Sequence, residues 1–130
     1  MATDPKTLVL GFLEQIGVSR DAMHDAIRSH FRADTIWENV GLATTTGPDE
    51  AIGLMDAFRA SHGVEMIAVD TLAISADGCV VLTERIDRMI DADGGEPFSI
   101  RLMGVFEVEG DKIVCWRDYF DTAGMPPPRS

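Results

Sequence analysis

Midway along this chain the spacing of apolar residues changes period, from helical in the first half to alternating in the second. Asp4-Pro5 is a helix start, and Leu8, Phe12 and Ile16 follow at helical spacing. Ser19 can cap a second helix carrying Met23, Ile27 and Phe31 four residues apart. A short strand, Thr35 to Asn39, comes next. Gly47-Pro48-Asp49-Glu50 then opens a third helix with Ile52, Met55 and Phe58 along one side, and Gly63 ends it. Beyond that point, segments near 65–75, 79–91, 98–109 and 112–120 read as strands. Asp77-Gly78 and Gly110-Asp111 suit tight turns between them, and Asp91-Ala-Asp-Gly-Gly suits a longer hairpin loop. Helices followed by an antiparallel run of strands predict an α+β fold, with helices covering one face of a curved sheet and a pocket between the layers.

The 130 residues show no internal repeat and no linker, so residues 1–130 read as one domain with an irregular tail at 124–130. A formal net charge of −11 repels phosphates and argues against nucleic acid or an anionic membrane as partner. The ligand expected is neutral, or cationic at most. No apolar run approaches transmembrane length, and MATDPKTLVLGFLEQ lacks the features of a secretion signal, which predicts a cytoplasmic protein. Cys79 and Cys115 have no metal-ligand spacing and read as free thiols. No metal or other cofactor is expected.

The last strand carries the chemistry. Lys112, Val114, Trp116, Asp118 and Phe120 alternate onto one face, which sets Asp118 among apolar neighbours where an ionised carboxylate needs a partner. Thr83-Glu84-Arg85-Ile86-Asp87-Arg88 offers one. Arg85 and Asp87 are two apart on a strand and point the same way, flanked by Val81 and Met89. If Arg85, Asp87 and Asp118 meet, one cation lies between two anions, and taking up one proton neutralises the cluster. One aspartate is then an acid and the other a base. Such a pair opens an epoxide with water: the base deprotonates the water and the acid protonates the departing oxygen.

The run Val81-Leu-Thr-Glu-Arg-Ile-Asp-Arg-Met89 is similar to the Glu-Arg-x-Asp strand of the limonene-1,2-epoxide hydrolase family. Gly104-Val-Phe-Glu-Val and Ile113-Val-Cys-Trp-Arg-Asp-Tyr-Phe-Asp121 resemble that family's last two strands, and Trp37-Glu38-Asn39 resembles its aromatic-x-Asn element. Order and spacing agree over roughly residues 8 to 121. The resemblance implies a cone-like fold, a curved mixed β-sheet with the N-terminal helices on its concave face, shared with nuclear transport factor 2 and ketosteroid isomerase. It implies cofactor-independent hydrolysis of a hydrophobic, terpenoid-like or cyclic epoxide to a vicinal diol, and a homodimer. It gives Asp118 the role of base, Asp87 that of acid, Arg85 that of a bridge that also helps hold the epoxide, and Asn39 that of orienting the water. Trp37 departs from the family's usual tyrosine, and an indole donates a hydrogen bond without accepting one.

Blander readings stand beside these. Asp118 and Arg85 also suit a structural ion pair, Asn39 a strand-end cap, and Trp37 and Trp116 a core or pocket wall. Met55, Met66, Met89 and Met103 suit core filling, and Trp37, Trp116, Met89 and Met103 are the candidates for positioning substrate or water. His24, His30 and His62 pair with no nucleophile, and His24 and His30 fall on helix surfaces. Asp91–Glu96 faintly resembles a calcium loop but lacks its spacing. The same fold also serves as a module that only binds a small apolar ligand, or as a polyketide cyclase or isomerase. Against the isomerase, Tyr119, the only tyrosine, falls on the strand face opposite Asp118.

Overall fold

A computed structural model describes residues 4–128; the two ends of the expected domain, 1–3 and 129–130, lie outside the described residues. Three helices, α1 (Pro5–Ile16), α2 (Arg20–His30) and α3 (Gly47–His62), combine with six strands. These are β1 (Phe31–Asn39), β2 (Ala43–Thr46), β3 (Met66–Asp77), β4 (Val80–Ile90), β5 (Phe98–Glu109) and β6 (Lys112–Phe120). They form one curved sheet in the order β2-β1-β6-β5-β4-β3. Every pairing is antiparallel except β1 with β6, so the sheet is mixed. The α+β fold expected from the sequence is the fold observed.

The helix signals act as read. The Asp4 carboxylate accepts from the Thr7 amide at 3.2 Å, the Ser19 hydroxyl from the Ala22 amide at 3.0 Å, and Gly63 closes α3 in the left-handed conformation at φ 66°. Phe31 differs from expectation. It does not continue α2 but begins β1, paired with Ile113. A spacing of four from Ile27 put it on the buried side in either conformation, so periodicity alone could not assign it. In β1 the register with β6 breaks between Phe31 and Ile36, and buried Thr35 holds the irregular stretch. Its hydroxyl accepts from the Arg32 amide at 2.7 Å and donates to the Ile113 carbonyl at 2.6 Å. Four-residue β2 had no periodic signal and was not expected.

Helix α1 packs on β3 and β4, and α3 on β1 and β2, leaving the middle of the sheet's inner face to Phe12, Phe31, Phe106 and Trp116. Phe12 meets Trp116 edge-on at 5.4 Å and Phe106 at 6.4 Å. In β6 a bulge at Val114 breaks the expected alternation. Ile113, not Val114, is fully buried, while Trp116 and Asp118 keep the inward face. The 91–96 loop is tied by its own carboxylate: Asp91 Oδ1 accepts from the amides of Asp93 at 3.0 Å and Gly95 at 2.8 Å. This is how a polar hairpin loop satisfies its backbone.

Candidate active site

Arg85 on β4 and Asp118 on β6 are separated by the whole of β5, yet they touch. The register explains this: Thr83, Gly104 and Asp118 stand side by side across the three strands. A Cβ on Gly104 would lie 2.2 Å from Arg85 Nη1 and 2.5 Å from Asp118 Oδ1. The missing side chain is the slot through which the guanidinium crosses β5.

All five N–H groups of the guanidinium are occupied. Nη1 donates to Asp118 Oδ1 at 3.2 Å and Thr83 Oγ1 at 3.0 Å; Nη2 donates to Asp118 Oδ2 at 3.0 Å and Asp87 Oδ2 at 3.3 Å; Nε donates to Asp87 Oδ1 at 3.4 Å. The Thr83 hydroxyl in turn donates a hydrogen bond to the Gly104 carbonyl at 3.1 Å. Arg85 Cζ also lies 5.7 Å and 5.9 Å from the ring centres of Phe106 and Trp116. Asp118 Oδ1 takes one further bond, 2.7 Å from Trp116 Nε1.

The protonation pattern follows from burial and charge. Burial works against the Arg85 cation, but Asp118 and Asp87 together hold it above its ordinary range. Burial pushes the Asp87 carboxyl up to about 6, Arg85 opposes that rise, and Asp118 adds to it. Two carboxylates against one guanidinium leave an excess negative charge, and Asp87 is where a proton relieves it.

Both carboxyls line a cavity of about 110 Å³. Asn39, Trp37 and Trp116 line it too, together with apolar Leu54, Met55, Ile67, Met89 and Leu102. Asn39 is the register partner of Asp118, and Trp37 that of Trp116, with the two indoles stacked at 4.8 Å. Two expectations need correcting. Met103 lies on the opposite sheet face, about half exposed between Glu84 and Tyr119, because one step along the strand from inward-facing Leu102 reverses the direction of the side chain. Arg85 stands behind the carboxylates and not on the cavity wall, and with every N–H taken it has no donor left for an epoxide.

Sequence reasoning missed Thr83 and Gly104. Thr83 shares the inward face with Arg85 two residues on, and a lone glycine inside an apolar strand signals a close approach. It also missed Met125, which the irregular tail contributes to the cavity wall.

The model of the limonene-1,2-epoxide hydrolase catalytic domain matches residues 3–126. The chain belongs to this family. Epoxide hydrolase EphG of Mycobacterium tuberculosis is 36% identical over 101 residues, 78% of this chain and 64% of that protein, so the chain spans slightly under two thirds of that relative's length. A solved M. tuberculosis epoxide hydrolase of the limonene-1,2-epoxide hydrolase type superposes with a TM-score of 0.73 at 31% identity, covering 95% of this chain and 83% of that one. A putative SnoaL-like polyketide cyclase from Jannaschia sp. CCS1 reaches the same TM-score at 14% identity, over 94% and 88% of the two chains, a likeness of fold alone.

Proposed function

We propose that this protein hydrolyses an apolar epoxide, terpenoid-like or cyclic, to a vicinal diol by one-step acid–base catalysis without a cofactor. The observation that carries the reading is one buried guanidinium saturated by two carboxylates that open together onto an apolar cavity. Asp118 takes a proton from water while the water oxygen bonds to an epoxide carbon. The carbon–oxygen bond breaks as Asp87 delivers its proton to the leaving oxygen. Asp118 ends protonated and Asp87 ionised, and a proton returns to Asp87 before the next turnover. Asn39, beside Asp118 in the register, accepts the second proton of the water as a hydrogen bond. Trp116 fixes Asp118 Oδ1, which leaves Oδ2, with one partner, as the basic oxygen. Met89 and Trp37 shape the apolar and aromatic walls against the substrate. Tyr119 is exposed on the outer sheet face, so the isomerase's tyrosine has no counterpart in the cavity.

The family resemblance also suggests a homodimer, and exposed Leu82, Met103 and Tyr119 on the outer sheet face suit a second copy. Sedimentation equilibrium of wild type and Met103→Glu tests it: a dimer that the substitution dissociates supports the assignment, and a monomeric wild type refutes it. Hydrolysis is tested by single turnover of limonene oxide and cyclohexene oxide in oxygen-18 water. One labelled oxygen in the diol, abolished in Asp87→Asn and Asp118→Asn, is the result expected. An unlabelled first product means that a carboxylate attacked instead.

A further inference from the structure

Thr83, Arg85 and Asp87 alternate along the inner face of β4, and the proposed hydrolysis leaves the first of them without a task. Thr83 is fully buried and does not line the cavity. It stands two residues before Arg85, as Asp87 stands two after it, and the two hold opposite ends of the guanidinium. Asp87 takes the Nε–Nη2 edge, Asp118 the Nη1–Nη2 edge, and Thr83 Oγ1 the one N–H that remains, on Nη1. The Thr83 bond is 3.0 Å and the Asp118 bonds are 3.0 and 3.2 Å, but the Asp87 bonds are 3.3 and 3.4 Å. Paired charges usually approach to about 2.7–2.9 Å. Thr83 cannot follow the guanidinium toward Asp87. An arginine only donates, so the hydroxyl must accept from it and spend its own O–H on the Gly104 carbonyl at 3.1 Å, and a β-branched side chain has little freedom at χ1.

We infer that Thr83 is a positioning residue that holds the Arg85 guanidinium on Asp118 and off Asp87, and so keeps the proton on Asp87. That role presupposes Asp87 as the acid and thus rests on the proposed hydrolysis. A cation lowers a neighbouring carboxyl more the closer it comes. Arg85 is the group that opposes the rise of Asp87, and Asp118 adds to that rise. These are the charged groups that bear on it. Its neighbours in the sheet are Val69 on β3 and Ile100 on β5, and the residues that α1, α3, β1 and the tail bring to the cavity, Ile16, Phe58, Asn39 and Met125 among them, are uncharged. Without the hydroxyl, nothing holds the guanidinium at its Nη1 end, and it closes on Asp87. Asp87 then loses its proton at lower pH, and less of the acid form is present at neutral pH. Thr83 acts on the acid through Arg85 and touches neither water nor substrate.

Titration, not turnover, tests this. The carbon-13 carboxyl midpoint of Asp87, assigned by its loss in Asp87→Asn, is measured in wild type, Thr83→Val, Thr83→Ala and Thr83→Ser. Valine matches threonine in shape, and alanine removes the hydroxyl with no branch to misfit. The wild-type midpoint is expected near pH 6. In Thr83→Val and Thr83→Ala it is expected about one unit lower, a tenfold loss of proton affinity, and Thr83→Ser, which keeps the hydroxyl, restores it toward wild type. The alkaline limb of kcat/KM on cyclohexene oxide is expected to move to lower pH with the midpoint. A midpoint unchanged or raised in Thr83→Val and Thr83→Ala overturns the inference, whatever stability they lose, because a purely structural hydroxyl gives that pattern. A midpoint in Thr83→Ser as low as in Thr83→Val overturns it too. If the midpoints move as expected but wild type opens no epoxide, the hydrolysis reading alone fails.

Discussion

Two arginines are buried among the described residues, and they are buried differently. Arg85 has all five donors taken, two carboxylates and a hydroxyl around it, and is held above its ordinary range. Arg59, between α2 and α3, has its Nε unpaired, and burial lowers it more than its neighbours raise it. The carboxylate it bonds, Asp56 at 3.2 Å, is shared with Arg20 and His24. Around Arg59, Asp56 and Glu65 oppose the lowering while Arg20 adds to it, and Asp56 is held low by its bonds to Arg20 and His24 despite burial. Around Arg85 the carboxylates outnumber the cation, so one of them, Asp87, is pushed up toward neutrality. Burial of a cation is common to both; the excess of acid is what makes a proton available.

Substitutions can break this contrast, and the largest effects belong at Arg85. Asp118→Asn removes the base and is expected to lower kcat by about 10³-fold or more, read by diol formation, while Asp56→Asn leaves kcat within about twofold. Gly104→Ala drives a methyl into the slot between Arg85 and Asp118. A loss of about 10²-fold in kcat/KM and about 1–3 kcal/mol in stability is expected, checked by kinetics and urea denaturation. If Gly104→Ala is fully active, the guanidinium does not need to cross β5 there.

The pH dependence sharpens the same contrast. Asp87 must be protonated to act, and its carboxyl is raised to about 6, so kcat/KM is expected to fall as pH rises through about 6 and to drop about tenfold per unit above it. Asp118→Asn removes the charge that helps raise Asp87 and would shift any residual limb to lower pH. The smallest effect falls on the other arginine. Arg59→Met replaces a buried, partly unpaired cation with a side chain of similar reach. It is expected to change stability by less than about 2 kcal/mol in either direction, measured by thermal denaturation, with kinetics unchanged.

The contrast between the arginines was only half visible in the sequence. Arg85 and Asp87 share a strand face by simple alternation, and Asp118 sits among apolar residues at the same period, so their meeting could be anticipated. The helix caps at Asp4, Ser19 and Gly63 and the hairpin turns were legible because each is local chemistry. What stayed hidden depends on pairing between distant strands. The parallel match of β1 with β6 sets Asn39 beside Asp118 and Trp37 on Trp116, and only the family resemblance pointed there. The bulge at Val114 and the start of β1 at Phe31 are register events that single-strand periodicity does not record. Nothing local in the sequence marks Arg59 as a cation that the neighbouring helix covers.

The proposed hydrolysis needs Asp87 to hold a proton that burial and Asp118 keep there. Carbon-13 carboxyl NMR across pH, on wild type and Asp87→Asn, measures that directly. One aspartate carboxyl titrating near pH 6, missing from Asp87→Asn, is the result predicted. A wild-type spectrum in which every aspartate has finished titrating below about pH 5, close to the ordinary carboxylate range, would contradict it.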